Sequence, residues 1–135
     1  MSWYKIHKHS GFGDSTEEEQ KINDDLQSLT DEYQSMYEGL DLHVYLSSGG
    51  YIFVRSVRVP EELRGQGIGT EIMNRIKDFA QKYNRHVVLS PEPERGKKKA
   101  LDRFYRNLDF VHNKGRGKRY DLSSPFGTTM YWSPE

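Results

Sequence analysis

Apolar residues recur every three or four positions in three stretches of the chain, which is the spacing of helices that bury one face. The first helix is predicted to begin at a capping box of Ser15 and Glu18 and to end near Gly39. The second extends over residues 63–83, and the third follows a lysine-rich loop. The apolar positions are Ile22, Leu26, Leu29, Tyr33 and Met36 in the first helix, Ile68, Ile72, Ile76, Phe79, Ala80 and Tyr83 in the second, and Leu101, Phe104, Tyr105 and Leu108 in the third.

Shorter apolar runs, bounded by glycine, serine or proline, predict the strands. Residues 40–46 and 51–59 are predicted to form a hairpin, whose second strand ends at Pro60. Since no repeat or linker interrupts the order of elements, we expect a single α/β (α+β) domain over residues 1–135. The further predicted strands are 3–8, 87–89, 110–112 and 128–132.

The composition excludes several classes of site. The chain has 135 residues, of which 34% are hydrophobic and 13% aromatic, enough for one core without disulfides or metal. It contains no cysteine, which excludes a thiol nucleophile and a Cys-ligated zinc site, and we expect no metal. No apolar run is long enough to span a membrane, and the N-terminus lacks a signal-peptide core. We therefore expect a cytoplasmic protein with no membrane partner.

The net charge is zero, but the charges are segregated along the chain. Residues 14–41 contain ten acidic residues and one basic residue, whereas residues 94–119 contain ten basic and three acidic residues. One interpretation is two solvated faces that attract each other. The other is that the basic segment binds an anionic ligand and the acidic segment a cationic substrate.

The most informative segment is residues 64–69, RGQGIG, between a predicted strand and a predicted helix. A helix start carries free backbone N–H groups, and glycines let an anion approach them closely. Arg64 adds a full positive charge. The spacing fits neither a P-loop nor the dinucleotide fingerprint. The pattern alone is typical of a phosphate-binding turn, and also of a plain turn with a helix cap.

These six residues resemble the R/Q-x-x-G-x-G/A signature of the GCN5-related N-acetyltransferase (GNAT) superfamily. A second stretch, LDRFYRNLDF at residues 101–110, is similar to the family's A-x-x-F-Y-x-x-x-G-F motif. The two stretches lie about 35 residues apart in the family's order, after a hairpin and on either side of a strand. The resemblance covers roughly residues 40–132.

The resemblance implies a single GNAT-like fold, in which a mixed central sheet of about six to seven strands is flanked by helices. It also implies an acetyl-CoA site in a cleft where the strands near Val57 and Val87 part. The backbone of Val57 and Val59 would pair with the pantetheine arm. The pyrophosphate would bind the N–H groups of Arg64, Gly65, Gln66, Gly67, Ile68, Gly69 and Thr70.

Tyr105 matches the family tyrosine that lies near the thioester sulfur and can protonate the departing thiolate. A tyrosine hydroxyl, with a pKa of about 10, can donate to a thiolate of comparable basicity. The alternative is that Tyr105 is a core aromatic residue that leaves its hydroxyl at the surface. Three residues depart from the second motif: Lys98 occupies a position where the family often has Asn, Leu101 replaces the usual Ala, and Asp109 replaces the usual Gly. Lys98 would then reach a CoA phosphate or be solvated.

The general base is the least defined part of the site. An amine must lose a proton before or during its attack on the thioester. Some relatives use a Glu in the strand before the signature, where this chain has Phe53. Glu61 is the candidate by proximity, and a water chain is the alternative. Glu62, His43 and Tyr45 are further candidates.

The sequence therefore predicts an acetyl-CoA-dependent N-acetyltransferase that transfers the acetyl group directly to a primary amine, as a monomer or homodimer. The alternative is a GNAT-fold binding module without turnover, which uses the basic segment 95–119 for nucleic acid or a protein partner. A basic, flexible loop could contact phosphates, bind an acidic small molecule or be an exposed turn. Its cations are Lys114, Arg116, Lys118 and Arg119.

Overall fold

The computed structural model describes residues 16–123 and 129–135, in which three helices and five strands are found. The predicted strand 3–8, Ser15 and Thr128 lie outside these ranges. The elements are α1 (Glu17–Met36), β1 (Asp41–Leu46), β2 (Ile52–Arg58), α2 (Ile68–Tyr83), β3 (Val87–Leu89), α3 (Lys98–Asn107), β4 (Val111–His112) and β5 (Met130–Trp132), with short 3-10 turns at Glu61–Leu63 and Tyr120–Leu122.

The capping box of helix α1 is formed by Thr16 and Glu19, one residue later than the predicted pair of Ser15 and Glu18. Thr16 has an extended backbone and is the N-cap; its hydroxyl accepts from the Glu19 N–H at 3.0 Å, and its own N–H donates to the Glu19 carboxylate at 2.9 Å. The prediction was wrong because Ser and Thr are adjacent, and both have a Glu three residues on. The helix ends at Met36, before Gly39, which forms a turn with φ +87°.

The five strands form one mixed sheet with the order β1-β2-β3-β5-β4. Strands β1 and β2 form the predicted antiparallel hairpin, and β2 pairs with β3 in parallel through the crossover helix α2. Strand β5 lies antiparallel between β3 and β4. The predicted fold class, a mixed sheet flanked by helices, is confirmed, with five strands within the described residues.

Successive residues of β2 contribute to two different hydrophobic clusters. Ile52 and Val54 pack in the main core with side chains of all three helices, whereas Phe53 packs with Val88 and Leu122 in a smaller cluster. Adjacent side chains of a strand point to opposite faces of the sheet, so the described helices cover one face. Within the described ranges, no helix is long and apolar enough to cross a membrane.

Within the described residues, carboxylates of the acidic segment form ion pairs with α2 and with Arg85, which follows it. Glu18 pairs with Arg85 at 2.8 Å, and Glu32 of α1 pairs with Arg75 of α2 at 2.8 Å. These contacts hold α1 against α2 and the residues that follow it; the two interpretations of the charge segregation stay predictions.

Candidate active site

A cleft opens where β2 and β3 stop pairing. The two strands pair from Ile52 opposite Val87 to Val54 opposite Leu89; β3 ends there, whereas β2 continues to Arg58. The sequence predicted that the two strands part near Val57 and Val87. In the structure they part after Val54, earlier on β2, and after Leu89, later on β3. Among the described strands, none therefore pairs with the edge of β2 beyond Val54 on this side.

A β-bulge in the hairpin accounts for the divergence of the strands. His43 lies opposite Ser56 but Val44 lies opposite Val54, so Arg55 is an extra residue on β2. A bulge bends its strand and increases the local twist. The end of β2 consequently turns away from β3 at the point where the cleft begins.

The cleft has a volume of about 340 Å³ and brings together both motifs of the sequence. Arg64 from the glycine turn and Tyr105 from α3 line the same space, together with Val57 and Val59. The remaining walls are residues 54–56, Arg58, the segment 89–94, Lys97, Ala100, Leu101 and Phe104.

The glycine turn has the backbone that its sequence demands. Gly65 and Gly67 have φ angles of +83° and +79°, and a Cβ at either position would meet nothing within 4 Å. Gly69 has another role, because a Cβ there would lie 3.4 Å from the Phe104 ring of α3. The first two glycines thus shape the turn and leave open space before it, and the third lets α2 pack closely on α3.

Most backbone N–H groups of this turn are available for a ligand. The N–H of Arg64 already donates to the Glu61 carbonyl at 3.2 Å, which removes it from the predicted set. Within the described residues, the N–H groups of residues 65–67 have no backbone partner, and those of residues 68–70 belong to the unpaired first turn of α2. The turn therefore offers N–H groups at the positive end of a helix dipole, which suits a phosphate.

Tyr105 is held rigidly at the cleft wall. Its side chain is 7% exposed and makes edge contacts with Phe104 at 5.0 Å and with Phe110 at 5.9 Å between ring centroids. No group within the described ranges forms a hydrogen bond with its hydroxyl. Burial raises the pKa of Tyr105 to about 12, so the hydroxyl keeps its proton across the physiological range.

An ion pair that the sequence did not predict crosses the cleft mouth. Arg64 Nη2 lies 2.8 Å from Glu94 Oε1, and Arg64 Nε donates to the Val59 carbonyl at 2.9 Å. The hydrogen bond from Arg64, followed by its charge, holds the pKa of Glu94 below its usual value. The pair joins the loop before α2 to the loop before α3, which are 30 residues apart in sequence.

The departures from the second motif have structural explanations. Asp109, at the motif's Gly position, has φ +69°, a left-handed conformation that Asp tolerates better than most residues. Lys98 begins α3 and faces a neighbouring depression, whereas Lys97 lines the cleft. The one-residue difference follows from the 100° rotation between successive residues of a helix, which sequence matching does not resolve.

The candidate bases do not line the cleft. Glu61 and Glu62 are exposed on the 3-10 turn after β2. His43 and Tyr45 lie on β1, where Tyr45 packs on Phe53 at 5.8 Å in the smaller cluster. None of these four side chains is brought next to Tyr105. Across residues 16–123 and 129–135, no three His, Asp or Glu side chains are grouped so that they could hold a metal ion.

The basic loop after β4 is closed at its base. Buried Asn113 donates through Nδ2 to the Arg119 carbonyl at 2.8 Å, and the Arg119 N–H donates to Asn113 Oδ1 at 2.7 Å. The guanidinium of Arg119 pairs with Asp121 at 2.8 Å. Asn113 was overlooked because the sequence alone does not distinguish an Asn that closes a loop from a solvated one.

A family model described as an acetyltransferase (GNAT) domain matches residues 31–112. The chain is 28% identical over 148 residues to a protein of Bacillus subtilis (strain 168) named "Putative acetyltransferase YjbC"; the alignment covers 100% of this chain and 72% of that protein.

Two solved structures share the fold. Ard1 from Thermoplasma volcanium aligns with a TM-score of 0.51 and 21% identity, over 71% of this chain and 63% of that one. A GNAT-family acetyltransferase from Staphylococcus aureus Mu50 aligns with a TM-score of 0.53 and 13% identity, over 71% of this chain and 60% of that one. The alignments thus span less than two thirds of each solved chain, and at these identities they show the fold alone.

Proposed function

Since the match covers more than half of its length, the chain belongs to the GNAT acetyltransferase family, and we propose that it transfers the acetyl group of acetyl-CoA directly to a primary amine. The observation that carries this proposal is the single cleft lined by both Arg64 of the glycine turn and Tyr105 of α3. A phosphate-binding turn and a protonated hydroxyl beside one strand edge are the groups that a thioester donor requires.

The residues of the cleft fit acetyl-CoA. Val57, on the free edge of β2, and Val59, just beyond the strand, offer backbone groups to the amides of the pantetheine arm. The N–H groups of residues 65–70, which follow the cleft-lining Arg64, suit the pyrophosphate. The open space before Gly65 and Gly67 leaves room for the phosphates. Arg64 lines the cleft, where its guanidinium pairs with Glu94 and its Nε donates to the Val59 carbonyl; a bound phosphate would compete with Glu94 for this positive charge.

When bound, acetyl-CoA supplies an activated carbonyl: the amine nitrogen bonds to the carbonyl carbon, the carbon–sulfur bond breaks, and the sulfur leaves as a thiolate. Tyr105 donates its proton to that sulfur. A hydroxyl whose pKa is about 12 remains protonated at neutral pH, and the same shift makes it a weaker acid than an ordinary tyrosine. It has no partner among the described residues that would compete for its proton. The chain has no cysteine, so no acetyl-cysteine intermediate forms on it.

The proposal assigns loss of the amine proton to water, because none of the predicted bases lines the cleft. Glu61, the leading candidate from the sequence, is separated from the site by its place on the exposed 3-10 turn. A Glu61→Gln variant is therefore expected to keep its dependence of kcat/KM on pH. A loss of the acidic limb of that profile would instead make Glu61 the base.

The experiment that tests the function is a calorimetric titration with acetyl-CoA of the wild type and of Gly67→Ala. A Cβ at Gly67 strains a residue with φ +79° and enters the space before the turn. We expect the variant to bind at least about tenfold more weakly, which corresponds to about 1.4 kcal/mol. Gly115→Ala is the matched control, since Gly115 has φ +81° and open space but lies in the basic loop and does not line the cleft.

Thiol release is then followed with a panel of primary amines. Absence of acetyl-CoA binding by the wild-type chain would refute the proposal. Binding without thiol release from any amine would favour a binding module without turnover.

A further inference from the structure

A second depression lies beside the cleft and shares a wall with it. Residues 90–93 and Leu101 line both spaces. The depression has a volume of about 1090 Å³ and is bounded on its other sides by α3, His112 and Lys114. It is thus next to the acetyl-CoA cleft and large enough for a group bigger than one phosphate.

The depression is strongly basic. Five lysine and arginine side chains line it, whereas the carboxylates in its lining are two, Glu92 and Asp102. Asp102 is already engaged, because it hydrogen-bonds His112 Nε2 and pairs with Arg106 at 3.2 Å. Within the described residues, the other four cations form no ion pair. These four are Lys98, Lys99, Arg103 and Lys114.

This arrangement of charges is unfavourable for the helix that carries it. Lys98 and Lys99 occupy the first turn of α3, which has no acidic residue and no side-chain cap, although the positive end of the helix dipole favours anions there. Lys99 and Arg103 also form a like-charge pair at i,i+4 spacing. Folding alone does not explain these cations, whereas a bound anion would offset their mutual repulsion.

We propose that this depression binds an anionic group of the acceptor, a phosphate or a carboxylate, and so selects anionic amines as substrates; this rests on the proposed acetyltransferase function. Arginine binds an oxyanion through two parallel hydrogen bonds, and lysine acts as a mobile point charge. The acceptor amine reaches the cleft past Ser90, which lines both spaces. The Ser90 hydroxyl is buried without a partner among the described residues.

The first test uses inorganic phosphate as the probe and protein saturated with CoA, so that the glycine turn is filled. Phosphate is expected to bind the wild type, and Lys99→Glu is expected to weaken that binding about tenfold, because hydrogen bonds to charged groups are strong. Arg116→Glu carries the same charge change in the neighbouring loop, outside the depression, and should stay within about twofold. Lys99→Glu also places an acid in the first turn, so its melting temperature should be equal or higher.

Two results would overturn the proposal: phosphate binding that CoA abolishes, or equal weakening by Lys99→Glu and Arg116→Glu. The first would place the phosphate in the glycine turn, and the second would reflect net charge alone. If the chain fails to bind CoA, the proposed function fails, while phosphate titrations of the two variants still decide whether the depression binds anions.

The second test measures thiol release with matched amines. Ethanolamine is compared with O-phosphoethanolamine, and propylamine with β-alanine, so that a phosphate and a carboxylate are tested separately. We expect kcat/KM to be about tenfold higher for an anionic member, and Lys99→Glu to remove this preference. Equal or better use of the neutral amines, or a preference for spermidine, would refute anionic selection.

Discussion

Replacing Tyr105 with Phe separates catalysis from stability more sharply than any other single change in this chain. The substitution removes one hydroxyl that has no hydrogen-bond partner among the described residues and keeps the ring against Phe104 and Phe110. Loss of an unpaired hydroxyl is nearly neutral for folding, so the free energy of unfolding should change by less than about 1 kcal/mol. The lost proton donor should lower kcat about 100-fold, or about 3 kcal/mol of the barrier.

The matched control is Tyr33→Phe, which should do the opposite. Tyr33 is 1% exposed, and its hydroxyl donates to the carboxylate of Glu71, away from the cleft lining. Removing the hydroxyl takes this hydrogen bond from an exposed carboxylate that water can solvate, so the variant should lose about 0.5–1.5 kcal/mol of stability and keep its kcat.

Urea unfolding followed by circular dichroism gives the stability of both variants, and thiol release at saturating acetyl-CoA gives kcat. A Tyr105→Phe enzyme whose kcat stays within about threefold of the wild type would show that water protonates the thiolate. A fall in kcat matched by an equal loss of acetyl-CoA affinity would assign the hydroxyl to binding and not to proton donation.

Three further outcomes are expected. Glu94→Gln should bind acetyl-CoA a few-fold more tightly, because the substitution releases Arg64 from its ion pair. The control Glu92→Gln, in the same loop and cleft but without an ion pair to Arg64, should change the affinity less. Equal effects of the two substitutions in a titration would refute the role of the pair. Because burial raises the pKa of Tyr105 from 10.0 to about 12, the unfolded chain loses this proton first, so stability is full below about pH 10 and falls towards about pH 12. Urea titrations should show a smaller alkaline loss in Tyr105→Phe. Asn113→Ala breaks the closure of the basic loop and should cost about 1–3 kcal/mol in the same assay, with kcat unchanged.

The glycine turn and the second motif could be predicted because both depend on short-range chemistry. Positive φ angles at Gly65 and Gly67 follow from the residue type, and the helical period placed Leu101, Phe104 and Tyr105 on one face. The cap of α1 was misplaced by one residue where two hydroxyl side chains are adjacent, since either has an acidic residue at the required distance.

The ion pair across the cleft mouth and the basic depression could not be predicted in the same way. Arg64 and Glu94 meet because the segment after β3 returns over the cleft, and nothing in either local sequence indicates the partner. Which lysine of the run 97–99 faces the cleft depends on where α3 begins and how it is rotated on the sheet. That rotation is set by packing, including the close approach of Phe104 to Gly69.

The sequence by itself determined the order of the described elements, the glycine turn and the helix that carries Tyr105, because each of these rests on residues close together in the chain. Only the tertiary structure decided where β2 and β3 part, that Arg64 and Tyr105 share one space, and that four cations without ion pairs among the described residues gather beside it. The physical reason is that strand register and helix rotation result from the packing of the whole core, and they set every distance between distant segments.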